Sequence, residues 1–323
     1  MTFKKTRRII MKLGFIKSNY PDEKRVPLLP EDIKNFKNEI VIEAGLGFEV
    51  GIEDDAYIDA NCTVLSREEV FATCDTIVSL KLLQPEDYDF LREGQMIIGW
   101  THPEETGKSF MEEQAIPKKL IVVDLDNISP AIYFQDKKID IPWLPRNFVF
   151  ENSYNAGISA TLHGLMSIGI IPDSHYKVAV LGSGNVSQGA FNTISKFTTN
   201  IRMYYRRTMD EFLDNIGEYD IIINGIQIER GTPHVVTLEH QKQLKKGAII
   251  IDAAADGDGA IEGIEYTPVE EPFIKKEGNY YYCVANAPSL FYRTASRHIS
   301  ESFSKYVYRD DVKKFYDLAK EIM

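Results

Sequence analysis

The apolar run Val178-Ala179-Val180-Leu181 ends on Gly182-Ser183-Gly184 and passes without a break into Asn185-Val186-Ser187-Gln188-Gly189-Ala190. An unalternating apolar run of this length suits a strand covered on both faces, and a glycine turn opening into a helix behind it is the phosphate-binding arrangement of dinucleotide folds. Gly182 permits the tight turn, Gly184 lets the backbone approach a pyrophosphate, and the first N–H groups of the helix face that anion. The usual third glycine is Ser187 here, with Gly189 two residues on. Gly182, Ser183, Gly184, Asn185, Val186 and Ser187 are therefore the candidate cofactor cradle. The next strand, 201–205, ends roughly 20 residues past the first glycine, where an NAD enzyme carries an acid against the ribose 2′-hydroxyl. This chain has Tyr205 and then Arg206 and Arg207. Two guanidiniums suit a 2′-phosphate, so the expected cofactor is NADP(H). The competing reading is a plain strand-turn-helix with two solvated arginines.

A chain of 323 residues exceeds one ordinary domain and predicts two. Hydrophobic residues at 44% and charged residues at 26% are ordinary for a globular protein, and no apolar run is long enough to span a membrane. The net charge of -11 argues against nucleic acid or an acidic membrane as partner, so an anionic substrate must meet a local cationic site. Cys62, Cys74 and Cys283 are odd in number and lack metal-ligand spacing, which predicts unpaired thiols, no metal and a reducing cytoplasm. Residues 1–11 read as an extension: the basic Lys4, Lys5, Arg7 and Arg8 lack the apolar stretch of a signal peptide.

From residue 12 to about 124, short apolar runs near 12–17, 40–43, 76–80, 96–100 and 120–124 alternate with helical stretches, which predicts a parallel α/β sheet. Ser66 and Glu69 form a capping-box pattern, and Glu86 and Asp87 follow Pro85 as in a helix's first turn. The stretch 127–152, with Pro142, Trp143 and Pro145, is weakly periodic and reads as the crossing between domains. Then come a long apolar helix over 156–170 and strands at 178–181, 201–205, 220–224, 248–252 and 280–284. After residue 286 the pattern is helical, and this segment is expected to return to the first domain. The expectation is an α/β protein of two domains, each a mostly parallel sheet flanked by helices. Residues 12–135 with 288–323 make the substrate domain, 136–287 the Rossmann-type NADP-binding domain, and the active site occupies the cleft between them.

Lys81 ends the run Thr76-Ile77-Val78-Ser79-Leu80, and His102 follows Met96-Ile97-Ile98-Gly99-Trp100 by two residues. Both fall at carboxyl ends of parallel strands, where open α/β sheets bind ligands. Arg25 lies in the loop after the first strand, on the same edge. Two cations and a histidine are what an α-keto acid needs: charge for the carboxylate and a proton donor for the carbonyl or carbinolamine oxygen. Taken singly, each residue also reads as a solvated loop group. Asp256, beyond the strand at 248–252, either faces the cleft or is a turn acid among Gly257 and Gly259. His163, inside the apolar helix, reads as a packed core residue, and His175, His234, His240 and His298 show no partner spacing.

Several motifs resemble the alanine dehydrogenase and nicotinamide transhydrogenase family along nearly the whole chain. Glu23-Lys24-Arg25-Val26-Pro27-Leu28-Leu29-Pro30 is similar to its N-terminal arginine motif, Val78-Ser79-Leu80-Lys81 with Gln84-Pro85 to its lysine motif, and Trp100-Thr101-His102 to its histidine motif. Asp220-Ile221-Ile222-Ile223-Asn224-Gly225-Ile226, the segment 252–256, and Asn286-Ala287-Pro288 with Arg293-Thr294-Ala295-Ser296 resemble its cofactor-side loops. The resemblance implies that Arg25 and Lys81 bind a pyruvate carboxylate while His102 and Asp256 handle protons. Gly257-Asp258-Gly259 replaces the Gln-Gly-Gly of a typical alanine dehydrogenase, Arg206-Arg207 replaces its acidic NAD selector, and the tail is shorter. Residues 14–21 and 203–209 are similar to a smaller branch of the family. That likeness implies an NADPH-dependent reductive condensation of pyruvate with the side-chain amine of ornithine or lysine, by a homo-oligomer, dimer or tetramer. An NADP-linked alanine dehydrogenase, a saccharopine-type dehydrogenase and a non-catalytic NADPH-binding protein are the alternatives.

Overall fold

The structure, a computed structural model, describes residues 11–229, 231–255 and 257–323. It divides into two compact units, one running to Val149 and resuming over Tyr292–Met323, the other Phe150–Phe291. Asp256 and residues 1–10 lie outside the described residues.

The first unit is built on β1 (Lys12–Phe15), β2 (Glu39–Glu43), β3 (Thr63–Leu65), β4 (Thr76–Lys81), β5 (Met96–Trp100), β6 (Ile121–Asp124), β7 (Ala131–Phe134) and β8 (Lys137–Asp140). Among the described residues they form one sheet in the order β3-β2-β1-β4-β5-β6-β7-β8. The first six strands run parallel, and the chain order reverses direction across the sheet between β1 and β4. Neighbouring residues on a strand serve opposite cores: Ile77, Ile97 and Val122 pack on one side, Val78, Ile98 and Val123 on the other. Burial on both faces is why these strands read as unbroken Ile/Val runs. The helix Arg67–Thr73 carries the expected capping box, Ser66 Oγ accepting from Glu69 N while the Glu69 carboxylate accepts from Ser66 N.

The stretch read as an inter-domain crossing contains the β7–β8 hairpin instead, which extends the sheet antiparallel. Units change at Val149/Phe150 and at Phe291/Tyr292 rather than at 135/136 and 287/288. The physical reason is that β8, mostly exposed, pairs along β7 and so stays with the first sheet. The last segment packs on the first unit through Ala295, Ile299, Phe303 and Val307, a spacing of four that keeps one helical stripe on the core.

In the second unit β9 (Val178–Leu181), β10 (Ile201–Tyr204), β11 (Ile221–Asn224), β12 (Ile249–Asp252), β13 (Phe273–Lys276) and β14 (Asn279–Tyr282) form a sheet of order β10-β9-β11-β12-β14-β13. Only β13 is antiparallel. Here too alternate residues serve two cores, Val178, Ile221 and Ile249 on one side and Ala179, Ile222 and Ile250 on the other. Both units therefore expose parallel-strand carboxyl ends at a reversal of strand order, where open α/β sheets bind ligands.

Candidate active site

In the first unit the loop after β1 is pinned at two points by the helix Tyr292–Phe303. Val26 N donates to Ser296 Oγ (2.9 Å) and Leu29 N to Ser300 Oγ (2.7 Å), which seats the intervening chain against the sheet edge. Arg25 is consequently buried, at 4% exposure. Its Nε donates to Glu23 Oε1 at 2.7 Å and its Nη2 to Glu23 Oε2 at 2.5 Å, a side-on bidentate pair. A buried guanidinium with no acceptor is strongly disfavoured, and Glu23 meets that need.

Lys81 closes β4. The β4–β5 register shifts between Val78 and Lys81, so that Lys81 lies opposite Trp100. Lys81 Nζ stands 5.5 Å from the Trp100 ring centre and 5.8 Å from that of Tyr20, and Arg25 Cζ stands 5.3 Å from the Trp100 ring centre. Burial, and next the Arg25 charge, push the Lys81 ammonium down to about 8, against the opposing pull of Glu23 and Asp124. Lys81 thus remains mostly charged at neutral pH and loses its charge well before an ordinary lysine would.

His102 sits just past β5 with φ 42°, in the left-handed region. A side chain with a Cβ pays about 1–2 kcal/mol there. Asp124, at the end of β6, holds the turn: its Oδ1 accepts from Thr101 N (2.8 Å), Thr101 Oγ1 (3.2 Å) and His102 N (3.2 Å). Burial raises the Asp124 carboxyl, and the nearby imidazole and these N–H donors pull it back. The first unit therefore gathers Arg25, Lys81 and His102 at neighbouring strand ends, with Glu23, Trp100 and Asp124 behind them. Those last three carried no role in the sequence reading. The signals available were an acid two residues before Arg25, an aromatic closing β5, and an acid closing β6.

In the second unit Gly182 takes φ 98°, which a residue with a Cβ rarely adopts, and Gly182 N donates to Tyr204 O (2.8 Å). The helix Asn185–Ile194 starts at Gly184 with no side chain capping it, and nothing lies within 4 Å of where a Gly184 Cβ would stand. A helix start at a glycine with open space in front of it fits a dinucleotide pyrophosphate. The departures from the glycine fingerprint have local causes. Ser187 is fully buried and donates from Oγ to Leu181 O (2.8 Å), tying helix to strand. Gly189 is where the helix Phe150–Ser167 comes close, a Cβ there meeting Tyr154 O at 2.0 Å.

Arg206 and Arg207 follow β10, beside the glycine turn, and both are exposed. Among the described residues neither forms an ion pair, whereas Arg202 is filled by Glu211 through two 2.6 Å hydrogen bonds. His163 is buried, its Nδ1 3.0 Å from the Tyr282 hydroxyl, and burial pushes it down, as for a packed core residue. The three cysteines are buried and none is in a disulfide. No helix among the described residues is long and apolar enough to cross a membrane.

Comparison with known proteins gives the same architecture. Residues 14–132 match the model of the alanine dehydrogenase/PNT N-terminal domain, and residues 189–321 that of the alanine dehydrogenase/PNT C-terminal domain. The chain is similar to N(5)-(carboxyethyl)ornithine synthase of Clostridium botulinum, 55% identical over 97% of this chain and 98% of that one. It is also similar to the protein of that name from Lactococcus lactis subsp. lactis, 51% identical over 97% and 99%. Among solved structures an L-alanine dehydrogenase superposes with a TM-score of 0.76 at 20% identity, covering 92% of this chain and 89% of that one, a likeness of fold.

Proposed function

The chain belongs to the alanine dehydrogenase/PNT family, and from that footing we propose that it catalyses the NADPH-dependent reductive condensation of pyruvate with the side-chain amine of ornithine or lysine. The observation that carries this reading is the gathering of Arg25, Lys81 and His102 at adjacent strand ends, two cations for a carboxylate beside a proton-transfer group. The names of the relatives at 51% and 55% identity over nearly full length support the diamino acid as second substrate. The first unit is then the keto-acid domain and the second the NADP-binding domain.

Arg25 and Lys81 hold the pyruvate carboxylate. The ornithine side-chain amine arrives as an ammonium of pKa about 10.4 and must lose a proton before it attacks C2. His102 and, by family likeness, Asp256 are the groups for that proton. The free amine bonds to C2, the carbonyl oxygen becomes a hydroxyl, and His102 protonates it so that it leaves as water. A reduced nicotinamide cofactor, held at the Gly182–Gly184 turn, would supply the hydride needed to reduce the imine carbon to that of a secondary amine. Arg206 and Arg207, exposed beside the glycine turn, bind the 2′-phosphate that distinguishes NADPH.

NADPH oxidation measured with pyruvate plus ornithine, lysine or ammonia, each omitted in turn, tests the reading. NADPH should be consumed only when pyruvate and a diamino acid are both present, and mass spectrometry should find a carboxyethyl group on the terminal nitrogen. Alanine formed from ammonia at a comparable rate would make the protein an alanine dehydrogenase instead.

A further inference from the structure

Arg25 and Lys81 share a neighbour. The Arg25 guanidinium carbon and the Lys81 nitrogen lie 5.3 and 5.5 Å from the centre of the same indole, that of Trp100. Both are within the range where a cation feels the negative face of an aromatic ring, and a deeply buried indole is the ring on which this attraction is largest. The indole is itself fixed. Trp100 is buried, its Nε1 donates to Leu125 O at 3.0 Å, and its ring meets Phe303 edge-on with centres 5.5 Å apart. The register shift between Val78 and Lys81 is what brings Lys81 opposite Trp100, and the Tyr20 ring centre lies 5.8 Å from the ammonium.

We infer that Trp100 is a positioning residue for keto-acid binding: its indole is the common support against which the two like-charged groups are held. Without such a support two neighbouring cations separate, or one of them sheds its proton. The charged groups facing Lys81 are Arg25 and Glu23 from the loop after β1 and Asp124 from the end of β6. Arg25 and burial already work against the ammonium, so removing the ring moves its titration further to acid. The inference rests on reading Arg25 and Lys81 as the keto-acid site, and its test therefore has one arm that needs no turnover.

In that arm, an amine-selective reagent labels the whole protein at a series of pH values, and mass spectrometry follows the peptide carrying Lys81 in wild type, Trp100→Phe and Trp100→Leu. The labelling midpoint should fall by about one pH unit in Trp100→Leu and by less in Trp100→Phe, which keeps an aromatic face. In the second arm, Trp100→Leu should raise the pyruvate KM about tenfold while the ornithine KM and NADPH affinity stay within about twofold. A merely structural role would move neither the Lys81 midpoint nor pyruvate selectively. An unchanged midpoint in a folded variant overturns the inference, as does an unchanged pyruvate KM. If Trp100→Leu does not fold, Trp100→Phe decides: a smaller acid shift at Lys81 supports the inference and no shift overturns it. Failure of wild type to use pyruvate at all would instead sink the proposed function, leaving the labelling result to judge Trp100 alone.

Discussion

In the first unit Arg25 is buried and its fork is filled by Glu23, while in the second Arg206 and Arg207 stand in the open beside the glycine turn and, among the described residues, form no ion pair. Both arrangements offer positive charge to an anion, under different physical constraints. A buried cation needs its compensation within the fold before any ligand arrives, because desolvation is severe and Coulomb forces inside are strong. It is accordingly held in one geometry, by Glu23, Trp100 and the Ser296 and Ser300 contacts to its loop. Exposed arginines have no such need, since water solvates them, and they order when a phosphate binds. The first device suits a small keto acid whose reacting carbon must be placed within tenths of an ångström. The second suits a cofactor already anchored elsewhere along its length.

The largest expected effect lies in the first unit. His102→Ala should lower kcat roughly 100-fold to 10,000-fold, as for loss of one acid-base group, while NADPH binding survives. Retained turnover would mean that the strained turn at His102 serves something other than proton transfer. Next comes Arg25→Ala, expected to lower kcat/KM for pyruvate about 100-fold or more and to destabilise the fold by about 3–5 kcal/mol, because Glu23 keeps its buried charge without the guanidinium. Glu23→Ala added to Arg25→Ala should restore much of the stability and none of the activity. If activity returned with stability, Arg25 would be a structural group and the contrast between the units would fail.

The preformed site also predicts a pH dependence. Lys81 is held down to about 8, so its charged form, the one the proposed keto-acid site requires, is full below that pH and is lost as pH rises through it. The kcat/KM for pyruvate should therefore fall about tenfold per pH unit above about 8. Lys81→Arg should remove that limb, since a guanidinium does not titrate in this range, while its larger planar head fits poorly and lowers activity throughout. A limb that persists in Lys81→Arg would assign it to another group.

How much of this was legible beforehand follows from the same contrast. The strands β1, β2, β4, β5, β6, β9, β11 and β12 were readable because burial on both faces demands unbroken apolar runs, a local signal, whereas β3, three partly exposed residues at the sheet edge, was not read. The β7–β8 hairpin and β13 were not: β8 and much of β13 lie exposed at sheet edges, carry lysines, and are strands only because a neighbour pairs with them. Arg25, Lys81 and His102 stood out as charged or titratable residues at strand ends. Glu23, Trp100 and Asp124 did not, because their meaning depends on a register shift in β4 and on a turn folding back to β6, both tertiary events. Ser187, read from sequence as part of the cofactor cradle in place of the third glycine, instead spends its hydroxyl on the strand it packs against.

Smaller effects separate the exposed arginines from one another. Arg206→Ala should weaken NADPH binding roughly tenfold to a hundredfold, as for loss of one charged hydrogen-bond partner, and leave NADH binding nearly unchanged. Equal losses for both cofactors would show that Arg206 does not read the 2′-phosphate. Arg202 is the matching control. It lies on β10, which leads into Arg206, and is also exposed, but both arms of its fork are occupied by Glu211 at 2.6 Å. A guanidinium already satisfied by a carboxylate has nothing to gain from a phosphate unless that pair breaks, and a surface pair contributes little in itself. Arg202→Ala should therefore change NADPH affinity by less than about twofold, measured by fluorescence titration at physiological salt. A loss as large as that of Arg206→Ala would mean that Glu211 releases Arg202 to the cofactor, and that an internal partner does not mark an arginine as structural in this unit.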